Sequence, residues 1–596
     1  MKKPLNTRTD GRVLLSGNEA IARGAWENGV HFAAAYPGTP STEILETIGE
    51  HYPEIEAQWA PNEKVALEVI GGASFGGARV ITAMKHVGLN VAADPFFSLS
   101  YIGATGGIVV VSADDPGMHS SQNEQDNRHF ARAAKVPMLE PSDSAEARDL
   151  TALALDISEK FETPVLLRTT TRISHSSGPV ALAPRKEVPV KGYVRDPRRR
   201  IPIPAFAKAM HTRVEERARA LSEYGDTFPF NRIYEGDRSL GIIASGVSAA
   251  YVREVYPGAT ILKLTMTWPL PWKLLERFIS MVKEVRVVEE GDPFLEEQIR
   301  SHFLIPAEGK KHFPLEGEFN LRTVRKGLGL PALPAAAPAE VPPRPPMLCA
   351  GCPHRGAFWV LSKIKASSTG DIGCYTLGLM PPLNAMDTTI CMGASIGVLG
   401  GLEKAGGHEA VNRLVAAIGD STFVHSGITG LVDMVYNGCT GTVMIMDNSI
   451  TAMTGGQQNP ATGKRLRGEP SARLDLEAVC RACGVKSVRV VDPHDLKGLE
   501  SILREEMARP EVSVVITRRP CVMIRKPAGK ATAVLDPATC IGCRRCLSLG
   551  CPAISFRDGK PVINTLLCYP DCRLCADVCP KGALSKDYRR EAVDAE

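Results

Sequence analysis

Half of the cysteines in this chain are concentrated near its C-terminal end. The chain has 596 residues and 16 cysteines, and eight of these lie in two short runs, TCIGCRRCLSLGCP and LCYPDCRLCADVCP. Three thiolates at such close spacing can hold one face of a cubane iron–sulfur cluster, with a fourth cysteine supplied from further along the chain. The cysteines of the two runs are Cys540, Cys543, Cys546 and Cys551, then Cys568, Cys572, Cys575 and Cys579.

The order of the cysteines predicts two [4Fe–4S] clusters with crossed ligand sets. In ferredoxins with two clusters, the last cysteine of each run binds the cluster of the other run. The predicted sets are Cys540, Cys543, Cys546 and Cys579 for cluster 1, and Cys551, Cys568, Cys572 and Cys575 for cluster 2. Two zinc sites are the alternative, but no histidine is interleaved and Cys-Pro closes each run. The first run closes, and the second opens, with one extra residue, which a bulge has to absorb.

A second candidate site combines Gly419-Asp420-Ser421 with Asp447-Asn448, which follow two predicted strands. In a strand–helix–strand unit both strand ends lie at one edge of a parallel sheet, where ligands bind. A carboxylate and an amide oxygen there suit an octahedral Mg²⁺ that also holds a diphosphate, and Gly419 lets the backbone approach the phosphates. The alternative is an Asp-capped loop in an ordinary α/β domain.

These residues resemble the GDG…NN motif of thiamine diphosphate enzymes, although they read GDS and DN here. The metal-facing Asp420 and Asn448 are retained, and the resemblance adds the backbone carbonyl of Ile450 as a ligand. Such enzymes use a glutamate of a second α/β domain to hold the aminopyrimidine in the tautomer that deprotonates the thiazolium. The candidate is Glu63, which by composition alone would be an ordinary carboxylate at a helix start.

The elements that position these residues follow from alternating apolar and amphipathic stretches. Strands are predicted at HFAAAY, ARVITAMK, GGIVVVSA, TPVLLRTTT, SLGIIASG, ATILKLT, EVRVVEEG, RLVAAIG and GTVMIMD. Strand–helix alternation predicts parallel sheets covered on both faces, hence an α/β fold. Residues 181–235 are predicted to be an irregular, charge-rich crossover. The Pro- and Ala-rich stretch from Gly329 to Pro346 is predicted to be a semi-extended linker.

The motifs YPGTPSTEI, NEKVALE, KHVGLN, DDPGMHSSQNEQD, CAGCPHRGAF and GDIGCYTLG precede the GDS–DN pair and the cysteine runs in one order. Together they resemble the 2-oxoacid:ferredoxin oxidoreductase family, and within it the large subunits that act on indolepyruvate. The resemblance covers essentially the whole chain. It implies five segments: a pyrimidine-binding domain (1–190), a crossover with a transketolase-C-like domain (191–325), a linker (326–346), a diphosphate- and Mg²⁺-binding domain (347–528) and a ferredoxin-like two-cluster module (529–596).

The resemblance also implies the reaction and its partners. A 2-oxoacid loses CO₂ on thiamine diphosphate, two electrons leave singly through the clusters to an external ferredoxin, and the acyl group passes to coenzyme A. The implied substrates are indolepyruvate, phenylpyruvate and hydroxyphenylpyruvate, and the implied partner is a β subunit in an α₂β₂ assembly. Glu63 would contact the pyrimidine, Thr39 would lie where substrate enters, and the Cys352–His354 loop would lie against thiamine diphosphate.

Several other cysteines and histidines have more than one interpretation. Cys349 and Cys352 could form half of a zinc site, whereas Cys480 and Cys483 are predicted to be structural thiols in a helix. Three histidines near the motifs are better explained as structural groups than as catalytic ones. They are His86, His119 and His425. Ile541, Ile554 and Ile563 are predicted to form an apolar jacket around the clusters.

Composition limits the classes of function. A net charge of +4 on a balanced set of charged residues argues against a dedicated nucleic-acid or membrane-surface protein. No secretory signal or membrane-spanning apolar run is visible, so cysteine-rich metal chemistry in the cytoplasm is expected. Besides the oxidoreductase, two hypotheses remain: a non-oxidative thiamine lyase with an idle tail, and a non-catalytic electron-transfer subunit.

Overall fold

The protein consists of two compact units. The computed structural model describes residues 10–334, 340–342, 345–525, 527 and 531–586. The units are Met1–Pro338 and Ala339–Glu596. The predicted linker falls at this division, and part of it lies outside the described residues.

The first unit is an α/β structure with one large and one small sheet, each mainly parallel with one antiparallel edge strand. Its strands are β1 (Arg12–Ser16), β2 (Phe32–Ala35), β3 (Glu56–Trp59), β4 (Val80–Lys85), β5 (Ile108–Asp114), β6 (Met138–Leu139), β7 (Val165–Thr170), β8 (Ser177–Ala181), β9 (Arg232–Tyr234), β10 (Asp237–Ser245), β11 (Ala259–Leu264), β12 (Met266–Trp268) and β13 (Glu284–Val288). Its helices are α1 (Gly17–Glu27), α2 (Thr42–His51), α3 (Glu63–Phe75), α4 (His86–Val91), α5 (Ala93–Ile102), α6 (Arg128–Ala134), α7 (Ser144–Phe161), α8 (Thr171–His175), α9 (Pro197–Arg200), α10 (Pro204–Gly225), α11 (Gly246–Val255), α12 (Trp272–Ser280), α13 (Phe294–Phe303) and α14 (Leu321–Gly327).

The large sheet has the order β12-β6-β7-β5-β4-β2-β3, with only β12 antiparallel to its neighbour. Strand β5 is buried along its whole length, as expected for a parallel sheet covered on both faces. The small sheet has the order β13-β10-β11-β9. Because β12 comes from the predicted transketolase-C-like domain, the large sheet crosses the boundary predicted at residues 190–191.

The predicted crossover contains a long helix that the sequence pattern did not indicate. Helix α10 has 22 residues, begins with proline in its first turn, and buries only Met210, Val214, Leu221 and Gly225. The rest of the helix mixes charged side chains with alanines and polar residues, so its apolar stripe is too narrow to dominate the pattern. The prediction of irregular structure was wrong here.

The second unit is built on a five-stranded sheet with a small cysteine-rich module. Its strands are β14 (Ser367–Thr369), β15 (Leu414–Gly419), β16 (Thr442–Asp447), β17 (Ser487–Val491), β18 (Ser513–Arg518), β19 (Ala533–Leu535), β20 (Ile554–Arg557), β21 (Lys560–Ile563) and β22 (Leu584–Lys586). Its helices are α15 (Pro353–Lys363), α16 (Ala394–Gly406), α17 (His408–Val411), α18 (Asp420–Thr422), α19 (Ile428–Tyr436), α20 (Leu476–Ala482), α21 (Leu496–Met507) and α22 (Leu574–Asp577). Short 3₁₀ segments cover Cys374–Leu379 and Arg545–Leu549, and a π turn covers Phe423–Gly427.

The five-stranded sheet has the order β14-β15-β16-β18-β17 and is parallel throughout. The side chains on the two faces of this sheet belong to two separate apolar clusters. In the cysteine-rich module, β19 pairs with β22 and β20 with β21, each antiparallel. The first pair brings the two ends of the module together, which places the two cysteine runs side by side.

The predicted strands are confirmed in both units. Each of the nine predicted runs contains an observed strand, from β2 in HFAAAY to β16 in GTVMIMD. In the part of the chain that the structure describes, no helix is long and apolar enough to cross a membrane.

Candidate functional site

The two polar motifs lie at neighbouring strand ends in the second unit. Strands β15 and β16 are parallel, with Gly419 paired to Met446, so Asp420 and Asp447 follow at one edge of the sheet. Asp420 is 2% exposed and Asn448 is 7% exposed. The sheet therefore brings together the carboxylate and the amide that the sequence predicted as metal ligands.

Asp420 is a buried carboxylate with little compensation for its charge. Among the described residues no cationic side chain forms an ion pair with it, and its one side-chain hydrogen bond, from Asn459 Nδ2, is long at 3.4 Å. Burial and the nearby charge of Asp447 raise its pKa to about 7. A bound cation would supply the missing charge, and carboxylate, amide and carbonyl oxygens are the ligands that Mg²⁺ prefers. The residues fit the predicted metal.

Asp447 differs from Asp420 because arginine already neutralises it. Arg518 Nε donates to Asp447 Oδ2 at 2.8 Å. The Asn448 side chain makes two contacts. Its Oδ1 accepts the backbone N–H of Ile450 at 3.3 Å, and its Nδ2 lies 3.2 Å from His354 Nε2. Burial lowers the pKa of His354 to about 4, so the imidazole is neutral near pH 7. His354 thus holds the Asn448 amide from the side of the CAGCPHR loop.

The loop GDIGCYTLG packs against the first strand end. A Cβ atom at position 419 would lie 2.7 Å from the Tyr375 ring, so only glycine leaves room for the ring there. The Tyr375 hydroxyl lies 3.2 Å from Thr422 Oγ1. Asp371 accepts the N–H groups of Gly393 and Ser395 around the start of α16, which fixes the loop. The close approach of a diphosphate to Gly419 stays a prediction.

In the first unit, the structure places Glu63 and Thr39 at the carboxyl edge of the large sheet. Asn62 caps α3, and Glu63 is the first residue of that helix, 4% exposed. A Cβ on Gly88 would lie 2.7 Å from Glu63 Oε1, so only glycine leaves room for this carboxylate. Thr39 is half-buried in the loop between β2 and α2.

The three histidines make structural contacts. His86 Nε2 lies 2.9 Å from Asn123 Oδ1, and His425 Nδ1 lies 2.7 Å from Ser426 Oγ. His119 is half-exposed and lies 3.3 Å from a carboxylate oxygen of Glu318. Cys480 is fully buried in α20, and Cys483 is half-buried just after it.

The eight C-terminal cysteines line two cavities in sets of four. One cavity is lined by Cys540, Cys543, Cys546 and Cys579, and the other by Cys551, Cys568, Cys572 and Cys575. These are the crossed sets predicted from the order of the cysteines. Ile554 and Ile563 line the second cavity, whereas Ile541 borders the first and is 62% exposed. Four thiols around one small apolar space fit a [4Fe–4S] cluster.

The CAGCPHR loop touches the cysteine module as well as Asn448. Ala350 and Gly351 line the cavity of Cys568, and a Cβ on Gly351 would lie 2.6 Å from Tyr569 Cβ. Arg355 donates to the carbonyl of Leu549 at 2.6 Å and to those of Leu348 and Cys349. This loop, residues 349–355, therefore joins the strand-end site to the cavity of Cys568.

A further group of thiols escaped the sequence interpretation. Burial raises the pKa of Cys352 to about 12, with smaller effects from Cys349 and Cys374 beside it. Burial also raises the pKa of Cys374 to about 11, with Cys521 and Cys349 as neighbours. The backbone N–H of Cys521 donates to the Asn448 carbonyl at 2.9 Å. Cys374 and Cys521 are single cysteines on separate loops, so no local spacing pointed to them.

Two family models match this chain. The description "Pyruvate flavodoxin/ferredoxin oxidoreductase, thiamine diP-bdg" matches residues 23–218, and "Thiamine pyrophosphate enzyme, C-terminal TPP binding domain" matches residues 371–517. The first span contains Thr39 and Glu63, and the second contains the two strand ends. Both descriptions define a thiamine pyrophosphate enzyme, so the predicted α/β fold with two domains of this type is confirmed.

Curated relatives extend the match over nearly the whole chain. The chain is 42% identical to "Indolepyruvate oxidoreductase subunit IorA" of Archaeoglobus fulgidus over 96% of this chain and 97% of the relative. It is 41% identical to the protein of the same name from Pyrococcus horikoshii, over the same shares. The chain belongs to the family of the indolepyruvate oxidoreductase subunit IorA. The predicted class of enzyme, a thiamine-diphosphate-dependent 2-oxoacid oxidoreductase, is confirmed.

A solved structure is similar at lower identity. It is "2-oxoglutarate:ferredoxin oxidoreductase from Magnetococcus marinus with 2-oxoglutarate, coenzyme A and succinyl-CoA bound", with 20% identity and a TM-score of 0.43. The match covers 50% of this chain and 62% of that chain.

Proposed function

We propose that this chain oxidatively decarboxylates arylpyruvates, namely indolepyruvate, phenylpyruvate and hydroxyphenylpyruvate, to the corresponding aryl-acetyl-coenzyme A. The 2-oxoacid carbon–carbon bond breaks and releases CO₂, the acyl carbon forms a thioester with coenzyme A, and two electrons reduce two ferredoxins. One observation carries the proposal: a buried carboxylate and amide at neighbouring strand ends and two four-cysteine cavities occur in one unit, joined by residues 349–355.

Each candidate residue has a role in this proposal. Asp420, Asn448 and the carbonyl of Ile450 hold Mg²⁺, and Gly419 and Ser421 border the diphosphate. His354 orients the Asn448 amide, and Cys352 belongs to the same loop. Thiamine diphosphate, when bound, supplies the carbon nucleophile that a 2-oxoacid needs to lose CO₂. Glu63 would hold a proton at the pyrimidine N1′, and Thr39 would border the path of the substrate.

The electrons follow the order of the cavities. Cys551, Cys568, Cys572 and Cys575 would hold cluster 2, whose cavity adjoins residues 349–355 and lies on the route from the strand ends to cluster 1. Cys540, Cys543, Cys546 and Cys579 would hold cluster 1, and the exposed Cys543 and Ile541 at its border would face an external ferredoxin. We extend the proposal to a third cluster held by Cys349, Cys352, Cys374 and Cys521, between the strand ends and cluster 2.

The proposal includes a partner subunit and a compartment. The relatives are named as a subunit, which supports a β subunit, and we propose an α₂β₂ assembly. Coenzyme A and ferredoxin are the co-substrates. Reduced thiolates in this number support the cytoplasm.

Anaerobic steady-state assays with the partner subunit test the proposal. We expect arylpyruvate-dependent reduction of ferredoxin that requires coenzyme A, and a loss of at least about 100-fold in the Asp420→Asn variant, because the buried ligand loses its charge. Asp433→Asn, an exposed carboxylate on α19, is the matched control and should keep full activity. Release of an aryl acetaldehyde without ferredoxin reduction would instead identify a non-oxidative lyase.

A further inference from the structure

A large cavity lies at the amino edge of the seven-stranded sheet. It is bordered by Gly103, which follows α5, by residues 160–162 at the end of α7, and by one face of α10. These segments precede β5 and β7, whereas Thr39 and Glu63 lie at the carboxyl edge. Strand β5 has seven residues and spans roughly 23 Å. The cavity is therefore remote from the edge that carries the predicted catalytic groups.

Helix α10 presents one charged face to this cavity. Arg213, Glu216, Arg217 and Ala220 line it, and their spacing of three, four and seven residues puts them on one side of the helix. Two arginines four residues apart repel each other and destabilise a helix. Among the described residues, Arg213 has no ion-pair partner. Helix α10 therefore places the positive charges of Arg213 and Arg217 side by side at the cavity.

The remaining wall adds positive charge. Lys160 and Arg199 also line the cavity, and the carboxylates there are Glu162 and Glu216. Glu162 is already paired, with Arg199 Nη2 at 3.0 Å from its Oε2. With the Arg199–Glu162 pair set aside, three cations remain at the cavity, Lys160, Arg213 and Arg217, against the single carboxylate of Glu216.

Arg217 shows that this charge is incompletely compensated. Its Nη2 donates to the Ser100 carbonyl at 2.7 Å, but its Nε is buried without a hydrogen-bond partner in the described part of the chain. Burial, with repulsion from Arg213 and Arg199, lowers the pKa of Arg217 to about 10. An anion in the cavity would relieve this repulsion.

We propose that this cavity binds a small molecule that carries phosphate groups. Guanidinium groups match phosphate oxygens in a bidentate manner, and the cavity has a volume of about 340 Å³, within the range of small-molecule sites. Tyr101 and Phe161 line the same space and offer flat apolar surface to the ring of a nucleotide. The site is separate from the proposed thiamine diphosphate site and does not depend on the proposed function.

The test is a titration of the full chain with its partner subunit, saturated with thiamine diphosphate and Mg²⁺. Isothermal calorimetry with inorganic phosphate and with ADP should detect binding, and Arg213→Gln should weaken it at least tenfold. Arg213 is exposed and makes no structural hydrogen bond among the described residues, so this variant should fold. Arg219→Gln, an exposed arginine of α10 outside the cavity, is the matched control and should bind as the wild type does.

Comparing the affinities for inorganic phosphate and for ADP shows which part of the ligand the cavity recognises. Equal affinity for phosphate and ADP would assign recognition to the phosphate alone, and tighter binding of ADP would add the nucleotide ring. The proposal is wrong if neither probe binds at millimolar concentration, or if Arg213→Gln binds both as the wild type does. The proposal is also wrong if Arg213→Gln abolishes binding of the partner subunit and leaves the affinity for phosphate unchanged. That result would assign this face of α10 to a protein interface.

Discussion

At the scale of single residues, the buried charges of this protein differ in what compensates each of them. Asp447 and Asp420 follow adjacent strands, yet Asp447 is held by Arg518 whereas Asp420 has no cationic partner among the described residues. Burying an unpaired carboxylate is costly. An unpaired buried carboxylate at a strand end is therefore favourable only when a bound cation compensates its charge. This contrast supports the proposal that Asp420 is the principal charged metal ligand.

Glu290 in the first unit gives a prediction on pH. Burial raises the pKa of Glu290 to about 7 from an ordinary value of 4.5, although its side chain accepts the Phe319 N–H at 2.8 Å. The charged groups around it include Arg168, Arg128, Glu318, Lys310 and Arg172. Because the folded state binds this proton more tightly, stability falls as pH rises from about 4.5 to 7.

Glu290→Gln removes this titration. The variant should exceed the wild type in free energy of unfolding by about 3 kcal/mol at pH 8, and most of the gain should vanish at pH 5. Anaerobic chemical unfolding at the two pH values measures the difference, with the exposed Glu316→Gln as control. An equal gain in the free energy of unfolding at pH 5 and pH 8 would contradict the raised pKa of Glu290.

At the scale of elements, residues 349–355 link the strand ends to the cysteine module, and Gly351 allows the link. Its φ is +74°, and a Cβ there would meet Tyr569 at 2.6 Å. Gly351→Ala should push the loop from the cavity of Cys568, lower the iron content, and slow electron transfer from substrate by at least about tenfold. Iron analysis and stopped-flow absorbance measure these effects.

Gly407 provides the matched control for this substitution. Its φ is +71°, almost the same as that of Gly351, but a Cβ there would meet nothing within 4 Å. Gly407→Ala therefore has backbone strain without the clash and should cost about 1–3 kcal/mol of stability while keeping iron and electron transfer. Equal effects of the two substitutions would show that strain, and not contact with Tyr569, is responsible.

The strands could be predicted from sequence because their apolar runs are buried on both faces, as in β5 and β16. Helix α10 could not, since its charged surface hides a narrow apolar stripe. The same distinction holds for the sites. The C-terminal cysteines lie close in sequence and reveal their pattern, whereas Cys374 and Cys521 meet the 349–352 pair only because the fold brings separate loops together. The contact of His354 with Asn448 likewise depends on tertiary structure.

At the scale of the whole molecule, the number of iron atoms per chain distinguishes two clusters from three. Three [4Fe–4S] clusters require roughly twelve iron atoms. Cys521→Ser should remove about four of them and leave the C-terminal clusters in place, as electron paramagnetic resonance of the reduced protein would show. Cys480→Ser, which alters a buried thiol in α20, is the control and should retain all the iron. Eight iron atoms in the wild type would rule out the third cluster.

The central claim is that one chain joins thiamine chemistry to one-electron transfer. The most direct test is anaerobic and uses a single turnover: the protein with its partner subunit, Mg²⁺ and thiamine diphosphate is mixed with indolepyruvate without an external acceptor, and the visible iron–sulfur absorbance is followed. We expect bleaching that accelerates with coenzyme A and is lost in Glu63→Gln and Asp420→Asn. Decarboxylation of indolepyruvate while the absorbance stays that of oxidised clusters would contradict the claim.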